Sequence, residues 1–249
     1  MDAIVLGGSK EAYWAKEGVD NKTLLKIGSQ TVIEKILTIL KELKEVNFNR
    51  VILTGDSTLP INIRNMADLF ITGNEIWEKI EAVMKVTDSE EFMIISGDIP
   101  LLSKYILEEV LSLYKAHHPD ILLFVVSKDL VEKKFPRFKK SYFFLDGQEC
   151  KNGNLIFFNR NSYNEMSKLI IPLIKSRKAL LPISYLKIGG PKITYKYLLK
   201  TLTIKDVEDR IQQLTNLNCQ VLFFQHPEIA LDIDREKDLV AVREISDFS

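Results

Sequence analysis

Two cysteines, Cys150 and Cys219, and three histidines, His117, His118 and His226, are all that 249 residues offer toward zinc centres and disulfides. The cysteines are far apart, in no ligand-like spacing, so a disulfide framework and a structural zinc site are not expected. His117 and His118 precede Pro119 at a helix end, where solvated capping is the simpler role. No charge sign is in excess: 34 Lys and Arg balance 34 Asp and Glu. A nucleic-acid coat or a polybasic membrane patch is therefore not expected. No apolar run reaches the length of a bilayer span, and no charged-then-apolar leader opens the chain, so the cytoplasm is the expected location. Two phosphate-binding signatures are also missing. No Gly-Lys-Ser or Gly-Lys-Thr closes a P-loop, and Gly-x-Gly-x-x-Gly does not occur. No Ser-His or Cys-His arrangement suggests a side-chain nucleophile.

What remains is an ordinary globular composition, 46% hydrophobic and 27% charged, with enough chain for one large core. The first thirty-five residues are the most informative. The apolar run Ala3-Ile4-Val5-Leu6 breaks into Gly7-Gly8-Ser9. A polar stretch leads to Asn21-Lys22-Thr23-Leu24-Leu25, and a helical pattern follows from Thr31. Bare glycine amides can approach anionic oxygens closely, and a lysine before a helix adds a point charge, so this arrangement can hold nucleotide phosphates. A tight turn is the plain alternative for Gly7-Gly8.

Further on, apolar runs and helical patterns alternate. Strands are predicted at Ala3–Leu6, Val51–Thr54, Phe92–Ser96, Ile121–Val126 and Gln220–Phe224. Helices are predicted at Thr31–Leu43, Ile76–Val86, Lys104–Tyr114 and Glu236–Glu244. This alternation predicts a central, mostly parallel sheet covered on both faces, an α/β fold in one domain spanning 1–249. The alternation stops near Val126 and returns at Gln220. The region from 131 to 218 reads as an elaboration, with helical stretches at Asn161–Lys175, Pro182–Lys187, Tyr195–Leu202 and Ile204–Leu214. The basic, aromatic run Lys133–Lys140 could meet single-stranded nucleic acid. In a neutral chain, a solvated loop or hairpin leading to Tyr142-Phe143-Phe144-Leu145 is the preferred reading.

Two acidic motifs follow apolar strands. Met93-Ile94-Ile95-Ser96-Gly97-Asp98 places a carboxylate at a strand's C-terminal end, the edge where open α/β sheets bind ligands. Ser103 is a better helix cap than Asp98. In Leu231-Asp232-Ile233-Asp234, the two carboxylates alternate with apolar residues and share one face of an extended segment. Asp238 falls at a helix start and suits the helix dipole. Asp98 and Asp234 converging at one edge, with Asp232 in reserve, would make a hard oxygen site of the kind Mg2+ prefers.

Ile4-Val5-Leu6-Gly7-Gly8, Asn21-Lys22-Thr23-Leu24-Leu25, Ser96-Gly97-Asp98-Ile99-Pro100-Leu101-Leu102 and Leu231-Asp232-Ile233-Asp234-Arg235-Glu236-Lys237-Asp238-Leu239 occur in this order. Together they resemble the MobA-like nucleotidyltransferases, within the glycosyltransferase-A-like fold. The resemblance implies a three-layer α/β/α sandwich with a mixed central sheet, Rossmann-like and of the nucleotide-diphospho-sugar transferase type. It implies transfer of a nucleoside monophosphate from a nucleoside triphosphate to a small phosphorylated acceptor, with release of pyrophosphate and with Mg2+ as cofactor. On this resemblance Lys22, Asp98 and Asp234 are catalytic; Asp98, Asp234 and Asp232 hold the metal. Leu6, Gly7, Gly8, Ser9, Lys22, Asn74 and Asp98 meet the nucleotide. Asn154, within the Gly153-Asn154 element, and the pair Arg177-Lys178 meet the acceptor, although a solvated basic pair also explains Arg177-Lys178. The family loop reads Leu-Ala-Gly-Gly with an Arg-Met-Gly segment. Here the alanine is absent, and Ser9–Asn21 holds Lys10, Lys16 and Gly18 but no arginine. A lysine grips phosphate as a point charge and not as a bidentate fork. A glycosyltransferase using a nucleotide-sugar, and a non-catalytic nucleotide-binding domain, are the alternatives. A Lys22 available beyond the glycine loop favours a triphosphate donor. Base and acceptor stay open.

Overall fold

The computed structural model describes residues 1–73, 75–165, 167–168 and 183–247. The first strand, β1 (Asp2–Leu6), has Ala3, Ile4 and Val5 fully buried, as expected of a parallel strand covered on both faces. The other strands are β2 (Lys26–Ile27), β3 (Gln30–Thr31), β4 (Arg50–Gly55), β5 (Leu69–Thr72), β6 (Glu91–Ser96), β7 (Ile121–Ser127), β8 (Phe143–Leu145), β9 (Gln148–Asn159) and β10 (Cys219–Phe223). The sheet runs β10-β7-β9-β6-β1-β4-β5, with β8 beside β9; β2 and β3 pair separately. β1 is parallel to both β4 and β6, β4 to β5, and β7 to β10. β9 runs antiparallel to β6 and β7.

The period-2 alternation of strand side chains separates two cores. Ala3, Val5, Val51, Leu53, Met93 and Ile95 join one cluster with α1 (Val32–Asn47) and α4 (Lys104–His117). Ile4, Ile52 and Phe92 face the other way and meet Val83 and Met84 of α3 (Ile76–Val86). The result is a helix–sheet–helix sandwich, as the resemblance implies. The start of α1 is fixed by a reciprocal capping box between Thr31 and Glu34, and that of α4 by Ser103, whose Oγ accepts from the Ile106 amide. A short helix, α2 (Ile61–Arg64), follows β4, and α5 (Lys128–Lys134) follows β7.

The five predicted strands are all present, with ends within a residue or two. The region 131–218 differs from a peripheral elaboration, because it supplies β9 to the middle of the sheet, between β6 and β7. Past the basic run, β8 and β9 form a hairpin around Asp146-Gly147, both at positive φ. Residues 160–165 are helical; the rest of the predicted Asn161–Lys175 helix lies mostly outside the described residues, as does Pro182. The helix Ile183–Leu198 is broken at Gly190 and stops at Leu198, short of the predicted Leu202. The helix Ile204–Thr215 follows, and the helix Glu236–Asp247 ends the described chain.

Candidate functional site

Four adjacent parallel strands, β5, β4, β1 and β6, each end at a glycine: Gly73, Gly55, Gly7 and Gly97. At two of them only glycine fits. A Cβ on Gly7 would lie 2.7 Å from the Thr54 carbonyl oxygen, and one on Gly97 would lie 2.6 Å from that of Leu6. Gly8 follows at φ +74°, a left-handed conformation that suits glycine. Ser9 is exposed.

The loop is clamped from the side by Asn21 and Thr23, both buried. Asn21 Nδ2 donates to the Gly7 carbonyl at 2.8 Å, Thr23 Oγ1 lies 3.1 Å from the same oxygen, and Asn21 Oδ1 accepts from the Thr23 amide. This caps a 3-10 turn, Lys22–Leu24. Lys22, between the two clamps, projects toward carboxylates. Its Nζ lies 2.6 Å from Asp98 Oδ2 and 3.1 Å from Asp234 Oδ1. Burial lowers the pKa of this ammonium, but Asp98 and Asp234 outweigh that and raise it above the ordinary lysine value.

Asp98 follows β6, almost fully buried, and Ser96 Oγ donates to its Oδ1 at 2.5 Å. The second acidic segment is brought to it by the backbone: the Ile233 amide donates to the Asp98 carbonyl at 3.1 Å. The preceding turn, Pro227–Ala230, is seated on β9. Asn154 Nδ2 donates to the Ile229 carbonyl at 3.0 Å, and a Cβ on Gly153 would lie 2.8 Å from Ile229 Cδ1. The Asn154 amide is thus committed to holding the acid-bearing segment. One oxygen from each of Asp98, Asp232 and Asp234 lies within 4.8 Å of the others.

Two further lysines enter this cluster. Lys140, whose side chain is 4% exposed, lies 2.9 Å from Asp238 Oδ2, 3.2 Å from Asp234 Oδ2 and 3.4 Å from Asp232 Oδ1. Lys151 lies 3.3 Å from Asp232 Oδ1. Burial lowers the Lys140 pKa, and the three carboxylates more than reverse it. Burial raises the Asp234 carboxyl, but Lys140 and Lys22 pull it down to about 2. Asp238, 1% exposed, accepts the amides of Asp234 and Arg235 through Oδ2, so it caps the last helix and also anchors Lys140. Asp232 Oδ1 is buried and has no hydrogen bond, since neither ammonium meets it in hydrogen-bond geometry. Three converging carboxylates with a buried, unsatisfied oxygen are the donor set that a divalent cation of the Mg2+ type takes.

Of the residues singled out from sequence, Gly7, Gly8, Lys22, Asp98, Asp232 and Asp234 meet at this edge, with Leu6 closing β1 beside them. Asn74, Arg177 and Lys178 lie outside the described residues. Lys10 and Lys16, the two lysines of the first loop, pair instead with Asp20 and Glu236. Sequence reasoning missed Lys140, Lys151 and the clamp role of Asn21. It also read Lys133–Lys140 as solvated, whereas Phe135 and Phe138 are buried and Lys134 pairs with Glu228. The burial of Phe135 and Phe138 three residues apart removes the stacking faces that nucleic-acid binding needs.

A glycine-ended parallel edge, a lysine and a carboxylate triad define the nucleotidyltransferase class of the Rossmann-like, nucleotide-diphospho-sugar transferase fold. Residues 3–183 match the MobA-like NTP transferase domain, and the chain belongs to that family. A hypothetical transferase from Thermus thermophilus superposes with a TM-score of 0.82 at 26% identity, over 96% of this chain and 98% of that one. A CMP:2-keto-3-deoxy-manno-octonic acid synthetase complexed with CTP shares the fold, with a TM-score of 0.62 at 12% identity over 99% and 98% of the two chains. A 2-phospho-L-lactate guanylyltransferase of Methanocaldococcus vulcanius is 26% identical over 148 residues, 51% of this chain and 64% of that protein. The match therefore spans less than two thirds of that relative's length. No helix among the described residues is long and apolar enough to cross a membrane.

Proposed function

We propose that this protein transfers a nucleoside monophosphate from a nucleoside triphosphate to a small phosphorylated acceptor and releases pyrophosphate. The observation that carries the reading is the meeting of Lys22, Asp98 and Asp234 beside the Gly7-Gly8 loop. The amides of Gly7, Gly8 and Ser9 cradle phosphate oxygens, and Lys22 neutralises charge near the α-phosphate. Asp98 and Asp234, with Asp232, hold Mg2+. When bound, the ion supplies charge neutralisation to phosphate oxygens, the main chemical demand of phosphoryl-type transfer. No protein nucleophile is required; an acceptor oxygen attacks the α-phosphorus, and positioning provides the rest of the catalysis. Lys140 and Lys151 set the charge on the acidic cluster. Likeness to a guanylyltransferase makes GTP the first donor to try. Both cysteines are unpaired and buried, which accords with the cytoplasm.

Exchange of labelled pyrophosphate into each of the four common nucleoside triphosphates, with Mg2+ and with and without a panel of sugar and polyol phosphates, tests the reaction. Exchange with one triphosphate is expected, and Asp98→Asn should abolish it while circular dichroism and melting stay native. Full exchange in that variant removes Asp98 from the essential set. Hydrolysis of nucleotide-sugars without exchange would instead favour the glycosyltransferase. Triphosphate binding with no turnover under any acceptor would favour the non-catalytic domain.

A further inference from the structure

Lys79, on α3, is 4% exposed, which is unusual for a lysine. Its stem lies across the end of β5: a Cβ on Gly73 would meet Lys79 Cγ at 2.9 Å. Its Nζ reaches the glycine loop and donates to the Gly8 carbonyl at 3.2 Å. That is its one hydrogen bond among the described residues, and no carboxylate there forms an ion pair with it. The acid that influences it most is Asp56, at the end of β4. Asp56 turns Oδ1 to the Thr58 amide and hydroxyl at 2.7 and 2.5 Å and leaves Oδ2 buried without a partner. The strand order β6-β1-β4-β5 puts Lys79 and Asp56 on the flank of the glycine loop away from Asp98; with the phosphates at Lys22, as in the proposed function, the base end of the nucleotide falls on that flank.

We infer that Lys79 hydrogen-bonds the carbonyl oxygen of the nucleobase and so selects a keto base against adenine. The inference rests on the nucleotidyltransferase reading. A buried ammonium with one acceptor carries two more N–H donors that a ligand can satisfy. The nearby Asp56 carboxylate tempers its charge. A lysine ammonium matches guanine O6 and N7, whereas adenine presents an amino group where guanine has O6.

Calorimetric titration with GTP, ITP, 2-aminopurine riboside triphosphate and ATP tests this. ITP keeps O6, and the 2-aminopurine nucleotide lacks it. The wild type should bind GTP and ITP roughly ten- to a hundredfold more tightly than the other two. Lys79→Met should bring all four within about threefold, mainly by weakening GTP and ITP. Lys79→Gln, which keeps an N–H donor and guards against a folding defect in the methionine variant, should restore part of the preference. Equal loss for all four ligands would place Lys79 on phosphate or on the loop alone and overturn the inference. So would a wild type that binds ATP as well as GTP. A wild type that binds none of them, nor CTP or UTP, brings down the nucleotidyltransferase reading as well.

Discussion

Asn21, Lys22 and Thr23 are consecutive, yet the outer two tie inward to the Gly7 carbonyl while the middle one faces Asp98 and Asp234. Lys22 is therefore held between two residues that are both tied to the glycine loop. Lys22→Ala should weaken triphosphate binding by roughly ten- to a hundredfold, the effect of a lost charge-assisted contact. Nucleoside binding should barely change. The loss adds to repulsion from two carboxylates left without their ammonium. Titration at two salt concentrations should also show a shallower salt dependence in the variant; equal triphosphate affinity in variant and wild type at both salts would remove Lys22 from the site. Asp98 and Asp234 were legible in the sequence because each follows a buried run closely, and Lys22 because it sits in Asn21-Lys22-Thr23-Leu24-Leu25 between the glycine loop and the first helix. Lys79 and Lys140 were not, because their partners are remote: Gly8 is 71 residues from Lys79, and Asp238 is 98 residues from Lys140. Nothing local distinguishes such lysines from solvated ones.

Among the elements, those with a clear period or an apolar run were legible, and β9 was not. Its first half reads Gln148-Glu149-Cys150-Lys151-Asn152-Gly153-Asn154, mostly polar, and only Leu155–Phe158 looks like a strand. The polar half pairs with β8 and β7, and its register against β7 shifts between Leu123 and Val125. β5 is short and half-buried, and no flanking signal sets it apart. The helix Ile204–Thr215, predicted as Ile204–Leu214, starts at a capping box of Thr203 and Asp206. Lys196 reaches both Asp206 oxygens at 2.6 and 2.7 Å. Hydrogen bonding from Lys196, with help from Thr203, brings the Asp206 carboxyl down to about 2. Its folded pKa is below the unfolded value, so its stabilisation is complete above about pH 4 and is lost as pH falls through about 2. Asp206→Asn should cost about 1 kcal/mol at neutral pH. In melts between pH 7 and pH 2, the gap from wild type should close only at the acid end; a gap independent of pH would show that the charge does not matter.

Across the whole molecule, the first loop and the last helix hold each other. Lys16 pairs with Glu236, the Tyr13 hydroxyl accepts from the Glu236 amide, and Arg243 pairs with Glu17 at 3.0 Å. Exposed pairs contribute roughly 0.2–1 kcal/mol each. Replacing Glu236 and Arg243 together by alanine should speed tryptic cleavage at Lys10 and Lys16 roughly fivefold, with little change in melting temperature. An unchanged cleavage rate would mean that Trp14, fully buried, anchors the loop unaided. The position of β9 has a consequence for synthesis. β6 and β7 are made one after the other but do not pair with each other, because the strand that separates them comes later and runs in the opposite direction. A nascent chain that has passed Ser127 carries two bare inner strand edges, and they stay bare until Asn159 has left the ribosome. Open edges of this kind invite pairing with other chains. The interval between residues 127 and 159 is thus when this protein most needs a chaperone, and a fragment ending inside it would be an aggregate in the making.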